Sequence, residues 1–152
     1  FPVGGFPPHR HAEPVPLLGL NVWNDERIVE SGGTYVKNAI FVDAFLADSS
    51  DGAVRNFVQE HRSALGRAPG VIDAVTWDAT RLLAGATMAG GTDRSAVRDE
   101  LGNSTLATPV AGGDRFGDDR EVARRLLVLT ITKDDIVPWR PPEEELPPEG
   151  LP

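Results

Sequence analysis

Proline sets where this chain can organise itself, because it fixes φ, carries no N–H and is excluded from helix interiors and central strands. Five of the 13 prolines fall in residues 1–16 and five more in 140–152, leaving Pro69, Pro109 and Pro138 for everything between. The folded unit is therefore expected over about 15–139. A flexible Pro-rich segment (1–14) precedes it, and an acidic Pro-rich tail (140–152) with four Glu follows and stays solvated. The chain opens on Phe1 without a basic segment running into an apolar one, so no signal peptide is expected within it.

A chain of 152 residues buries roughly two-thirds of its unfolded surface, enough for one globular body without staples. No apolar run approaches the ~20 residues that cross a bilayer. The absence of Cys removes disulfides and thiolate metal sites. A net charge of −8 disfavours nucleic acid and anionic lipid, which need a basic surface to displace counterions. G-x-S-x-G, P-loop, G-x-G-x-x-G and H-E-x-x-H motifs are all missing, so no catalytic constellation is read and neither cofactor nor metal is expected.

Between the proline-rich ends, elements alternate. Val15–Leu20 reads as a short strand, and Asn24 or Asp25 as the cap of a short helix that Gly32-Gly33 ends. Residues 38–45, "NAIFVDAF", read as a buried strand. From Asp51 the apolar residues Val54, Phe57, Val58, Ala64 and Leu65 recur at helical spacing until Gly66. Over 71–89 Ile72, Val75, Ala79, Leu82, Leu83 and Ala86 form one stripe, with Asp73, Asp78 and Arg81 away from it. Thr92 is expected to cap a third helix of about ten residues. "TPVAGGDRF" (108–116) and "RRLLVLTIT" (124–132) read as two extended segments around a polar, hairpin-like loop.

Several polar groups invite a site and fit a plainer role better. His9 and His11 with Glu13 sit at i, i+2 spacing in the Pro-rich end without further ligands, so they read as tail. The Asp-rich stretch 112–121 does not follow the calcium-loop plan and reads as a solvated turn. Trp77-Asp78 is assigned to helix-surface packing before ligand contact, and His61 to half-buried packing.

Four blocks in order, "VPLLGLNVWNDERIVESGGTYVKNAIFVDAF", "AVRNFVQEHRSALGRAPGVIDAVTWDATRLLAGA", "GGTDRSAVRDEL" and "LLVLTITKDDIV", resemble the C-terminal part of type I periplasmic solute-binding proteins, the branched-chain amino acid-binding kind used by ABC transporters. The resemblance covers about 15–137. It implies a partial α/β fold of the periplasmic-binding-protein type I kind: the last strand–helix units of lobe II, helices returning to lobe I, and terminal crossing strands. It further implies a binding protein rather than an enzyme, placed in the periplasm or otherwise outside the cytoplasm. The implied partners are a small polar solute, amino acid or amide-like, the membrane permease of an ABC transporter, and the rest of its own two-lobed protein.

By the same resemblance, the loop after the first strand faces the ligand. The position from which amino acid-binding relatives supply a carboxylate to the ligand ammonium is Asn21 here. An amide offers a donor and an acceptor without charge, so ammonium recognition is expected to weaken. Trp23 is a candidate flat wall, Asn24 a candidate ligand contact or helix cap, and Asp43, Ala44 and Phe45 the candidate hinge. Two other readings stay open: an envelope protein–protein regulator of the same fold, similar to penicillin-binding-protein activators, and a truncated piece without independent activity.

Overall fold

The computed structural model describes residues 16–141. The His9/His11/Glu13 group and nearly all of the expected acidic tail lie outside them. β1 (Leu18–Gly19) runs parallel to β2 (Ile40–Asp43), with α1 (Glu26–Gly32) between them in sequence. Three helices follow: α2 (Gly52–Leu65), α3 (Val71–Gly90) and α4 (Arg94–Asn103). β3 (Leu127–Ile131) then pairs antiparallel with β2, and β4 (Ile136–Pro138) with β3, giving the sheet order β1-β2-β3-β4.

Capping residues set the helix bounds. The Asp25 carboxylate accepts the Arg27 N–H at 2.9 Å at the start of α1, and Asp51 accepts from Ala53 and Val54 at 2.8 and 3.2 Å at the start of α2. Gly66 closes α2 with φ +69°, a left-handed conformation that suits glycine. At α4 the expected cap is displaced by one residue: Asp93, not Thr92, accepts the Ala96 N–H at 2.9 Å. Asp93 satisfies a donor with a stronger acceptor than a hydroxyl provides.

Two clusters of buried side chains form within the described residues. One joins Phe45, Val54, Phe57, Val58, Ala74, Val110 and Ala111 among the helices. The other joins Ala39, Phe41, Leu46, Leu129 and Ile131 under α1, with Trp23, Ile28 and Val29 packed on it. Phe57 anchors the first by edge contacts to Phe45 at 5.9 Å and His61 at 5.7 Å, and by a tilted contact to Trp77 at 5.5 Å. The chain passes between the clusters twice, through residues 44–50 and again through 112–126.

α3 is the main departure from the expected pattern. Its buried positions are Ala74, Asp78, Leu82 and Ala86, a strict i, i+4 row, while Ile72 is 74% exposed and Leu83 is also exposed. Small residues let the neighbouring elements approach closely. Asp78 joins that row because its carboxylate oxygens accept the backbone N–H groups of Val110 and Ala111. Residues 108–116 are likewise no strand: Leu106 N–H donates to Asp114 O at 2.7 Å and Arg125 N–H to Gly112 O at 3.1 Å, so the segment folds back on itself. Gly112 has φ +76°, and a Cβ there would stand 2.6 Å from Arg125 O, so only glycine fits the return. β4 went unread because three residues ending in Pro138 carry little signal; proline is tolerated there because the strand is at the sheet edge.

The sheet register assigns opposite faces to adjacent residues of β3. Leu129 (0% exposed) lies in the core opposite Phe41, while Val128 (41% exposed) lies opposite Val42 on the open face. In urea denaturation, Leu129→Ala is expected to cost about 2–5 kcal/mol. Val128→Ala is expected to change stability by about 0.5 kcal/mol or less. Equal losses at the two positions would contradict the register.

Candidate functional site

The parallel pair β1–β2 delivers two loops to one end of the sheet, where α/β proteins commonly place ligands. The loop after β1 is a single 3-10 turn over Asn21–Trp23, closed by Trp23 N–H to Leu20 O and Asn24 N–H to Asn21 O, both at 3.0 Å. The loop after β2 is the first connection between the clusters.

Asn24 joins these loops. Its side-chain amide donates to Asp43 Oδ2 at 2.6 Å and to Phe45 O at 2.7 Å. The Ala44 N–H donates to Asp43 Oδ1 at 2.6 Å. Asn24 therefore does not cap α1, a task that falls to Asp25; it staples the first loop onto the crossing segment. Burial pushes the Asp43 carboxyl above its ordinary pKa, and the hydrogen bonds from Asn24, Ala44 and Phe45 oppose that rise.

The other expected site residues separate by exposure. Asn21 is exposed, and its side chain makes no hydrogen bond among the described residues. Trp23 is half-buried on the sheet cluster and lies across Gly19, where a Cβ would meet its ring at 2.7 Å. Asp43, Ala44 and Phe45 sit together at the crossing, with Asp43 only 2% exposed. Asn24 and Phe45 also line a groove of about 540 Å³ between the clusters, with Leu46, Ala47 and Pro69 in its wall. Asn21 and Trp23 lie outside it. Reading the sequence missed this groove, because its walls come from four separated segments. The one available signal was an Asp inside the apolar run "IFVDAF", which marks a buried carboxylate in need of donors.

Asp25 is held by Arg27 in a 2.6 Å ion pair that lowers its pKa to about 2. Asp78, expected away from the buried stripe of α3, instead belongs to its buried row. It is 2% exposed and accepts the N–H groups of Val110 and Ala111. The Asp-rich turn is closed by Arg120 N–H to Gly117 O at 2.9 Å and Gly117 N–H to Glu121 O at 2.7 Å.

A family model described as periplasmic binding protein matches residues 11–135. The chain belongs to that family. Among solved structures, this periplasmic binding protein chain is similar to one assigned to a branched-chain amino acid ABC transporter from Rhodospirillum rubrum, with 25% identity and a TM-score of 0.72 over 84% of this chain and 38% of that one. A leucine binding protein from Thermotoga maritima matches at 18% identity and TM-score 0.68, over 81% of this chain and 36% of that one. An ABC transporter solute binding protein from R. palustris, solved with benzoate, matches at 19% identity and TM-score 0.68, over 82% and 35%. The last two likenesses bear on the fold alone. No curated protein matches the chain. The chain thus spans between a third and two-fifths of the length of these structures, which fits a C-terminal portion of a type I periplasmic binding protein. Among the described residues no helix is long and apolar enough to cross a membrane.

Removing the Asn24 amide leaves Asp43 Oδ2 and Phe45 O without that donor, so Asn24→Ala is expected to destabilise by about 1–3 kcal/mol. It should also raise the Asp43 pKa further, which carboxyl carbon-13 NMR titration reads directly. The raised pKa fixes a sign. The folded state holds the Asp43 proton more tightly than the unfolded state, so this contribution to stability is complete below the unfolded value and is lost as pH rises through the folded one. An Asp43 resonance titrating at or below the ordinary carboxylate range would contradict the burial assigned to it.

Proposed function

We propose that this chain supplies one wall of a solute-binding cleft in an ABC-type uptake system, capturing a small polar solute between two lobes. The observation that carries this reading is the family match over residues 11–135, joined to a fold divided into a sheet cluster and a helical cluster with two crossings between them. Asn21 is the first candidate for solute contact. It is exposed at the carboxyl end of β1 and its amide is uncommitted among the described residues, so it offers a donor and an acceptor to an amino acid or amide-like ligand. Trp23 adds an apolar wall beside it. Asn24, its amide hydrogens already engaged, supports the bend from behind.

Asp43, Ala44 and Phe45 act as the hinge in this reading. A solute touching both walls favours the closed form, which a membrane permease recognises. Placement in the periplasm follows from the same reading. The solved relatives include one in complex with isoleucine and one in complex with benzoate, so the ligand set to be searched spans amino acids and small carboxylates.

The rest of a two-lobed protein is the partner proposed for the apolar surface around β1. Leu18 is 74% exposed, with Leu20 at 66% and Val22 at 71% close by in sequence. β1 is also an edge strand with one side unpaired. Surface of this kind favours association when left bare.

A thermal-shift screen against amino acids, amides, ureas and small carboxylates tests the solute reading, since a ligand of the native state raises the melting temperature by mass action. Asn21→Ala is expected to weaken every hit by about tenfold, as loss of a ligand hydrogen bond does. Hits that persist unchanged in that variant overturn the assignment of Asn21. In light scattering, the chain is expected to self-associate as concentration rises, and Leu18→Ser with Leu20→Ser to reduce this; a strict monomer at all concentrations argues against a covered face at β1.

A further inference from the structure

The second connection between the clusters begins and ends in charged side chains that grip one residue. Asp78, buried in α3, accepts the Val110 N–H at 3.1 and 2.9 Å and the Ala111 N–H at 2.8 Å. Arg124, three residues before β3, donates to Ala111 O at 3.1 Å from the other side. Ala111 is wholly buried and belongs to the helical cluster, whereas Arg124 leads directly into the strand that carries Leu129 and Ile131 of the sheet cluster. One residue thus has its donor held from the helices and its acceptor held from the approach to the sheet.

Neighbouring contacts strengthen the grip on both sides, and Arg124 supplies the one side-chain bond to Ala111 O among the described residues. Arg81, one turn beyond Asp78 on α3, donates to Thr108 O at 2.9 Å and to Thr108 Oγ1 at 3.0 Å, so the incoming arm of the loop is tied to the helix twice. On the outgoing arm, the backbone bond from Arg125 N–H to Gly112 O at 3.1 Å accompanies the Arg124 contact. Gly112 and Gly113 sit at the fold-back, the first at positive φ, where the backbone turns with little side-chain resistance. A loop of this length without strands or helices holds one angle only if its ends are pinned.

We infer that Asp78 and Arg124, acting through Ala111, are positioning residues that hold the helical and sheet clusters at one relative angle. Bonds to charged groups are about twice as strong as neutral ones, so each weights the pinned arrangement by about tenfold or more. Asp78 fixes the segment to the helices, and Arg124 ties it to the approach to β3. The significance for capture rests on the solute-binding reading above. The measurement needs no ligand, so either idea can fail while the other stands.

The chain has no Cys, so spin labels placed at Gln59→Cys on α2 and Lys133→Cys in the β3–β4 turn, both exposed positions, report the distance between the clusters without competing sites. Pulsed electron resonance on the full chain is expected to give one narrow distance. Arg124→Ala should lose that narrow distance in favour of a broad distribution, and Arg124→Lys, which still reaches Ala111 O with one donor, should restore it. Arg125→Ala, a residue that contributes only its backbone N–H to the grip, should leave it narrow. An unchanged distribution in Arg124→Ala, or equal broadening in Arg125→Ala, overturns the inference.

Discussion

A carboxylate removed from water must be met by donors, and this molecule buries two. Asp43 and Asp78 are each 2% exposed. Asp43 draws in Asn24 across 19 residues, and Asp78 draws in Val110 and Ala111 across more than 30. Each therefore ties a loop to the element from which one crossing departs. Desolvating an ion without partners costs several kcal/mol, so neither loop is free to drift while its carboxylate stays buried. The placement of both connections between the clusters follows from these two charges.

The same constraint explains why Asn24 and Asn21, three residues apart, have different parts. Asn24 is consumed by Asp43 and Phe45, and so gives the bend its shape. Asn21 remains outward, on a 3-10 turn whose backbone bonds are satisfied internally. A turn that needs no side chain to hold it can spend its side chains elsewhere, which is the property a binding loop requires. Trp23, folded across Gly19, fills the space between turn and sheet and keeps the loop from collapsing onto the strand.

Much of the architecture was legible in the residues. The short strand, the capped α1, a strand within 38–45, and the three helices separated by Gly66 and by Gly90-Gly91 all follow from local capping chemistry and apolar spacing. The legible parts share one property: their determinants lie within a few residues of one another. The stripe on α3 held at Leu82 and Ala86 but missed Ala74 and Asp78, because a helical period cannot tell which side a partner will approach from. The segment 108–116 failed for a related reason, since its apolar and small residues permit a strand but Asp78 and Arg124 claim its backbone groups first.

The sequence by itself determined the four helices, the approximate places of β1 to β3, the family and the residue types available at the bend after β1. Local hydrogen bonds and side-chain periodicity suffice for these, because both act over a turn or two of chain. Only the tertiary structure decided that Asn24 serves Asp43 rather than a helix end, and that the helices and the sheet keep separate cores joined by two crossings. Those outcomes depend on which distant donors reach a buried carboxylate, and contacts between residues 19 to 33 apart leave no periodic trace along the chain.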